Sequence, residues 1–186
     1  NTYYRDLQSG RTVRSSWQYY GAKYAHAPTP PPNDIPAKPT HVAIIPRGQF
    51  LIIELGNQIP PEGTLRVRVR ASQTLQTSST PPSLRLEFGW RASNDSRALI
   101  RLSKHDLEIT AKSEHPQFYQ WEIPLGNIYP RNSVRTTAKM GATPNPSEYI
   151  RLLNSSISQG NIQIDHVEIT GPIHSQWPPG FPLPSR

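Results

Sequence analysis

Cysteine is absent from this 186-residue chain. Its absence excludes a disulfide framework, a thiolate metal site and a Cys-x-x-Cys-His haem attachment, and it leaves the redox compartment open. No apolar run approaches the roughly 20 residues that cross a bilayer as a helix, and no charged-then-apolar leader stands at the N-terminus. The chain begins with Asn1 and its one methionine is Met140, so it reads as a processed or excised piece of a longer protein. The six histidines are His26, His41, His105, His115, His166 and His174. None has a partner four residues away, the spacing that puts two imidazoles on one helical face for zinc. A Gly-x-Ser-x-Gly elbow, a phosphate-cradling glycine loop and a dinucleotide fingerprint are all missing. No fixed-period repeat exists, which sets aside solenoids and propellers.

What is present points to strands and turns. The chain holds 21 prolines and 11 glycines and is 34% hydrophobic, a composition poor in helix formers and rich in turn punctuation. At this length a single domain buries roughly 70% of the surface of its unfolded chain, so one core suffices. Net charge is +7 with a pI near 9.9. That favours attraction to polyanions, but the basic residues are dispersed and not blocked, the pattern of a solvated sheet face.

Residues 1–26 form a polar, basic segment with aromatics Tyr3, Tyr4, Trp17, Tyr19, Tyr20 and Tyr24, which serve as packing anchors if the segment joins the fold. Residues 27–39 carry six prolines and read as a polyproline-like crossover or linker. Strand signals then arrive in series over residues 40–173, before a proline-rich tail at 174–186. Val42-Ala-Ile-Ile45 and Gln49-Phe-Leu-Ile-Ile-Glu-Leu55 flank a turn. Thr64 to Ala71 has the cleanest alternation, with Leu65, Val67, Val69 and Ala71 inward and Arg66, Arg68 and Arg70 outward. Leu84, Leu86 and Phe88 repeat the design, and Tyr119, Trp121 and Ile123 share a face. Further strands are expected at Ala98–Leu102 and Asp106–Thr110, while Gly126 to Pro146 reads as a long irregular connection. Glu148 to Asn154 fits either a short helix capped by Ser147 or a strand, and its neighbours favour the strand. Some eight strands at roughly ten-residue spacing predict an all-β antiparallel sandwich or jelly roll with long loops.

The last strand breaks its own alternation. Ile162 and Ile164 point to one face and Val167 and Ile169 to the other, so the period of two slips near Asp165 and His166. Two arrangements fit: a strand buried on both faces, or a β-bulge at Asp165-His166. Thr170-Gly171-Pro172 is expected to end the strand. Asp165 sits in apolar company in either case and needs partners, by hydrogen bonding within the fold or at a bound cation.

Glycoside hydrolysis requires paired carboxylates, for which Glu54, Glu87, Glu122 and Asp165 are the candidates. All four lie in predicted strands, where outward, solvated carboxylates are the stronger reading. The Arg66, Arg68 and Arg70 stripe is likewise better explained by cross-strand pairing with Glu87, Glu122 or Glu168 than by specific nucleic-acid binding.

Gly63-Thr-Leu-Arg-Val-Arg-Val-Arg-Ala-Ser72, Pro82-Ser-Leu-Arg-Leu-Glu-Phe-Gly89, Tyr119-Gln-Trp-Glu-Ile-Pro-Leu125, Glu148-Tyr-Ile-Arg-Leu-Leu-Asn154 and Ile162 to Pro172, followed by Trp177-Pro-Pro179, form an ordered set. Together, over about residues 40–179, they resemble an accessory β-sandwich domain of planctomycete multidomain cytochrome-c-like proteins. The last strand is also similar to the closing strand of galactose-binding-like carbohydrate-binding modules. That resemblance implies a non-catalytic, extracytoplasmic module. It also implies a structural calcium held by Asp165 with an N-terminal glutamate, whose place Glu54 takes by sequence order. Any electron transfer would then belong to other domains of the parent chain.

Sugar recognition on such folds stacks an aromatic ring on the pyranose and offers amides and guanidinium groups to its hydroxyls. Loop residues of that description are Trp90, Arg91, Asn94, Asp95, Tyr129 and Arg131, with Asn127 and Asn132 alongside. Trp90 also continues the inward alternation of Phe88, so packing competes with binding there. The expected partners are a polysaccharide or glycan and other domains of the same parent chain, with no specific nucleic acid and no membrane span. The rival reading is a structural or interaction module that spaces or docks neighbouring domains.

Overall fold

The computed structural model describes residues 2–14, 41–56, 59–74, 80–91, 97–131, 147–157 and 160–173. Within them the strands are β1 (Tyr3–Asp6), β2 (Thr12–Arg14), β3 (His41–Ile45), β4 (Phe50–Gly56), β5 (Thr64–Gln73), β6 (Ser83–Arg91), β7 (Arg97–Arg101), β8 (Leu107–Glu108), β9 (Gln117–Pro124), β10 (Ser147–Asn154) and β11 (Ile162–Ile173). A six-stranded sheet runs β2-β1-β3-β11-β5-β9, and a five-stranded sheet runs β4-β10-β6-β7 with β8 beside β6. Every strand pairing is antiparallel. From β3 onward the chain crosses between the two sheets at each connection except those from β6 to β8, which stay in the five-stranded sheet, in keeping with the jelly-roll sandwich that the strand spacing predicts.

Alternation builds the core. On β5, Leu65, Val67, Val69 and Ala71 face inward and are buried, and they meet Leu84, Leu86 and Phe88 of β6 across the sandwich. Ile150 and Leu152 of β10 and Ile162 and Ile164 of β11 complete the same core. Each such aliphatic side chain contributes about 1.5–3 kcal/mol on burial. Residues 147–154 are a strand because β4 and β6 pair with them on either side, which a helix would forfeit.

Three differences from the sequence reading have physical causes. The first 14 residues add two strands, as β1 pairs with β3 and β2 pairs with β1. Asp6 closes their turn by accepting hydrogen bonds from the N–H groups of Ser9 (3.0 Å) and Gln8 (2.8 Å), which hold its carboxyl below the usual range. The strand expected over Asp106–Thr110 shrinks to Leu107–Glu108. Ile109 turns into the core and donates its N–H to Pro82 O, while the N–H groups of Thr110 and Ala111 donate to the Tyr119 hydroxyl. Finally, β11 does not stop at Pro172 but continues to Ile173 through a register shift after Thr170, the kind of irregularity at which proline is tolerated. Trp17, Tyr19, Tyr20, Tyr24, the 27–39 proline segment and the 174–186 tail lie outside the described residues.

The slipped alternation in β11 is a bulge. Ile164 pairs with Ala71 and His166 with Arg70, so Asp165 is the extra residue. The insertion turns Val167 and Ile169 back toward the core, against which both pack.

Candidate functional site

One end of the sandwich gathers the end of β6, residues 59–63 ahead of β5, and the segment that follows β9. There Pro124 leads into a 3-10 turn, Leu125–Asn127. The turn is fastened from below: Leu125 is buried, its N–H donates to Gly63 O (2.8 Å), and the N–H of Ile128 donates to Leu125 O (3.1 Å). Gly63 adopts φ 98°, a backbone conformation open to glycine and strained for other residues. Ile128 then plugs into the core.

Tyr129 comes next and points the other way, 78% exposed. The chain is fastened again immediately after it. Pro130 O accepts a hydrogen bond from Trp90 Nε1 (3.2 Å). Arg131 donates through Nε to Glu148 Oε2 (2.7 Å) and through Nη2 to Glu148 Oε1 (2.9 Å). Nη2 also donates to Ile59 O (2.8 Å) and Nη1 to Pro60 O (3.2 Å). Glu148 is wholly buried at the start of β10 and the Arg131 side chain is 17% exposed. A buried carboxylate is stable here because a bidentate guanidinium meets its charge.

The residues singled out from the sequence therefore divide. Trp90 and the Tyr129–Arg131 segment come together at this end. Trp90 packs against the core, as the alternation after Phe88 predicts, while its ring N–H donates to Pro130 O at the corner. Arg131 does not offer its guanidinium to solvent, because four hydrogen bonds already engage it. Asn127 is exposed beside Tyr129. Asn94, Asp95 and Asn132 lie outside the described residues, as do the side chains of Arg91 and Glu54. The anchors Leu125, Ile128 and Glu148 went unrecognised in the sequence. Glu148 and Arg131 stand 17 positions apart, and no local pattern announces such a pair.

Of the four carboxylates considered for catalysis, the three whose side chains are described each pair with an arginine. Glu122 pairs with Arg66 (2.9 Å) on the outer face of the six-stranded sheet and Glu168 pairs with Arg68 (3.3 Å). Arg68 also stacks on Phe118 at 4.2 Å from the ring centroid. Glu87 corrects the reading of solvated carboxylates: it is buried, belongs to the five-stranded sheet and pairs with Arg151 at 2.5 Å. Asp165 is a second correction, with a side chain 6% exposed and Oδ1 at 2.5 Å from Arg70 Nε.

Asp165 and Glu54 are the residues expected to hold a calcium ion, and the Glu54 side chain lies outside the described residues. Calcium takes six to eight oxygen ligands, yet the Asp165 carboxylate is engaged by Arg70 and Glu54 belongs to the other sheet. Among the described residues no group of three or more His, Asp or Glu side chains could hold a metal ion. No helix among them is long and apolar enough to cross a membrane, which says nothing of a β-barrel.

No protein-family model matches the sequence, and no curated protein matches it. Solved structures with a similar fold include "Family 16 Carbohydrate Binding Module-2", at TM-score 0.41 and 10% identity over 73% of this chain and 79% of that one. Another is the CBM22-1 xylan-binding domain from Paenibacillus barcinonensis Xyn10C, at TM-score 0.41 and 8% identity over 72% of this chain and 74% of that one.

Proposed function

We propose that this chain is a non-catalytic, carbohydrate-binding-like module of a larger extracytoplasmic protein, with the corner around Tyr129 as its ligand surface. The parent would be a multidomain protein of the planctomycete cytochrome-c-like kind, and the other domains of that parent are its second class of partner. Tyr129 carries the proposal. A large aromatic ring held 78% exposed between two fastened flanks loses little conformational freedom when the apolar face of a pyranose stacks on it. An exposed ring whose flanks were loose would lose part of that advantage to ordering.

The rival, a spacer or docking module, draws on the arginine stripe of β5. Arg66, Arg68 and Arg70 are each paired with an acidic side chain of their own sheet, which leaves that face little net charge to offer a partner.

The testing experiment is a binding screen of the purified chain against neutral and acidic polysaccharides, heparin and duplex DNA at low and high salt. The expected result is salt-resistant binding to one glycan class. Binding to polyanions alone, vanishing with salt, would reduce the interaction to nonspecific electrostatics and overturn the proposal.

A further inference from the structure

We infer that Arg131 is a positioning residue for this corner: it sets the backbone that displays Tyr129 and does not itself touch the ligand. The inference uses the proposed function for its binding readout, whereas its structural readout is independent of that reading.

A guanidinium has five N–H donors in a planar fork. Arg131 makes four hydrogen bonds with them, two to Glu148 and one each to the carbonyls of Ile59 and Pro60. One side chain thus ties three stretches of chain: the segment after β9, the start of β10, and the link between β4 and β5. Ile59 is buried in the core, so the carbonyl that receives Nη2 belongs to a fixed residue. Two positions before Arg131 stands Tyr129, and the carbonyl of the intervening Pro130 takes the Trp90 ring N–H. The Tyr129 backbone has buried Ile128 on one side and this clamp on the other. Loss of the clamp would leave the ring present but its approach angle unset, and affinity depends on that preorganisation. Lysine could answer the charge of Glu148 but not reproduce the fork that reaches both carbonyls.

The test compares wild type with Arg131→Lys, with the double variant Arg131→Met/Glu148→Leu, and with Tyr129→Ala. The double variant removes both charges together and so avoids an unpaired buried carboxylate; Arg131→Lys keeps the pair and loses the fork. Amide hydrogen exchange over residues 125–131 is measured beside that of β5 and β6, and retardation by soluble β-glucan and by xylan is measured in affinity gels. Both Arg131 variants are expected to keep slow exchange in β5 and β6 while exchange over 125–131 rises about tenfold or more, with retardation weakened at least about tenfold. Unchanged exchange over 125–131 in both variants would overturn the inference whatever the glycans do. Faster exchange with wild-type retardation, where Tyr129→Ala loses retardation, would also overturn it, since the clamp would then not matter to binding. If Tyr129→Ala is retarded like wild type, or neither polysaccharide retards wild type, the glycan reading of the corner fails for these probes and the exchange result alone decides the role of Arg131.

Discussion

Among the described residues, three carboxylates are almost completely withdrawn from water, and each is met by an arginine: Glu148 by Arg131, Glu87 by Arg151 and Asp165 by Arg70. A single ionised group in such a place would be destabilising by several kcal/mol, so these pairs account for side chains that would otherwise invite a metal or a catalytic role. Asp106 shows the same logic nearer the surface. Burial pushes its carboxyl up, but Arg85, Ser155 and Arg101 together outweigh that and hold it below the usual carboxylate range. Because the folded value lies below the unfolded one, the contribution is complete above about pH 4 and is lost as pH falls through the folded value. Denaturant titrations between about pH 5 and pH 3 should therefore show wild type losing more stability than Asp106→Asn. Parallel losses would show that Asp106 does not carry this acid sensitivity.

At the scale of the element, β11 illustrates what a sequence makes legible. The slip between Ile164 and Val167 was visible as a broken period, and with it the choice between a bulge and a doubly buried strand. Only the partner strand decides, because a bulge is defined by two residues facing one. Deleting Asp165 should remove the extra residue and restore strict alternation, so that Ile162, Ile164, Val167 and Ile169 all stay on the core face, at the cost of the carboxylate that meets Arg70. The urea midpoint of the deletion should match that of Asp165→Ala, which loses the same contact with Arg70, and a much lower midpoint for the deletion would mean that the bulge itself is needed to hold the register. A second element-scale feature lay beyond reading. Tyr149 of β10 lies over Gly89 of β6, so closely that a Cβ there would stand 2.6 Å from the ring. Gly89→Ala should destabilise by about 1–3 kcal/mol through overpacking, measurable by thermal or urea unfolding; a neutral result would show that the ring moves aside freely. The strands themselves were legible because alternation is local. The clamp at Arg131 was not, since it joins Ile59, Arg131 and Glu148 across three separate stretches. The two N-terminal strands are hard to read for a related reason: they are short and polar, and β1 forms by pairing with β3 and β2 by pairing with β1.

On the whole-molecule scale, a charge of +7 would by itself predict a binder of polyanions. Within the described sheets, however, the arginine stripe is neutralised by its neighbours, and the distinguishing surface is an exposed ring at one end. The two accounts separate on salt: stacking on an uncharged pyranose is insensitive to it, while attraction to heparin or DNA weakens steeply. The most direct measurement is the affinity of wild type and Tyr129→Ala for the best-bound polysaccharide at high salt, taken with the thermal midpoint of each. Loss of binding at least about tenfold, with the two midpoints within about 1 °C, is the expected result, because an exposed side chain contributes little to folding. Equal affinity in the two proteins would contradict the assignment of this corner as the ligand surface.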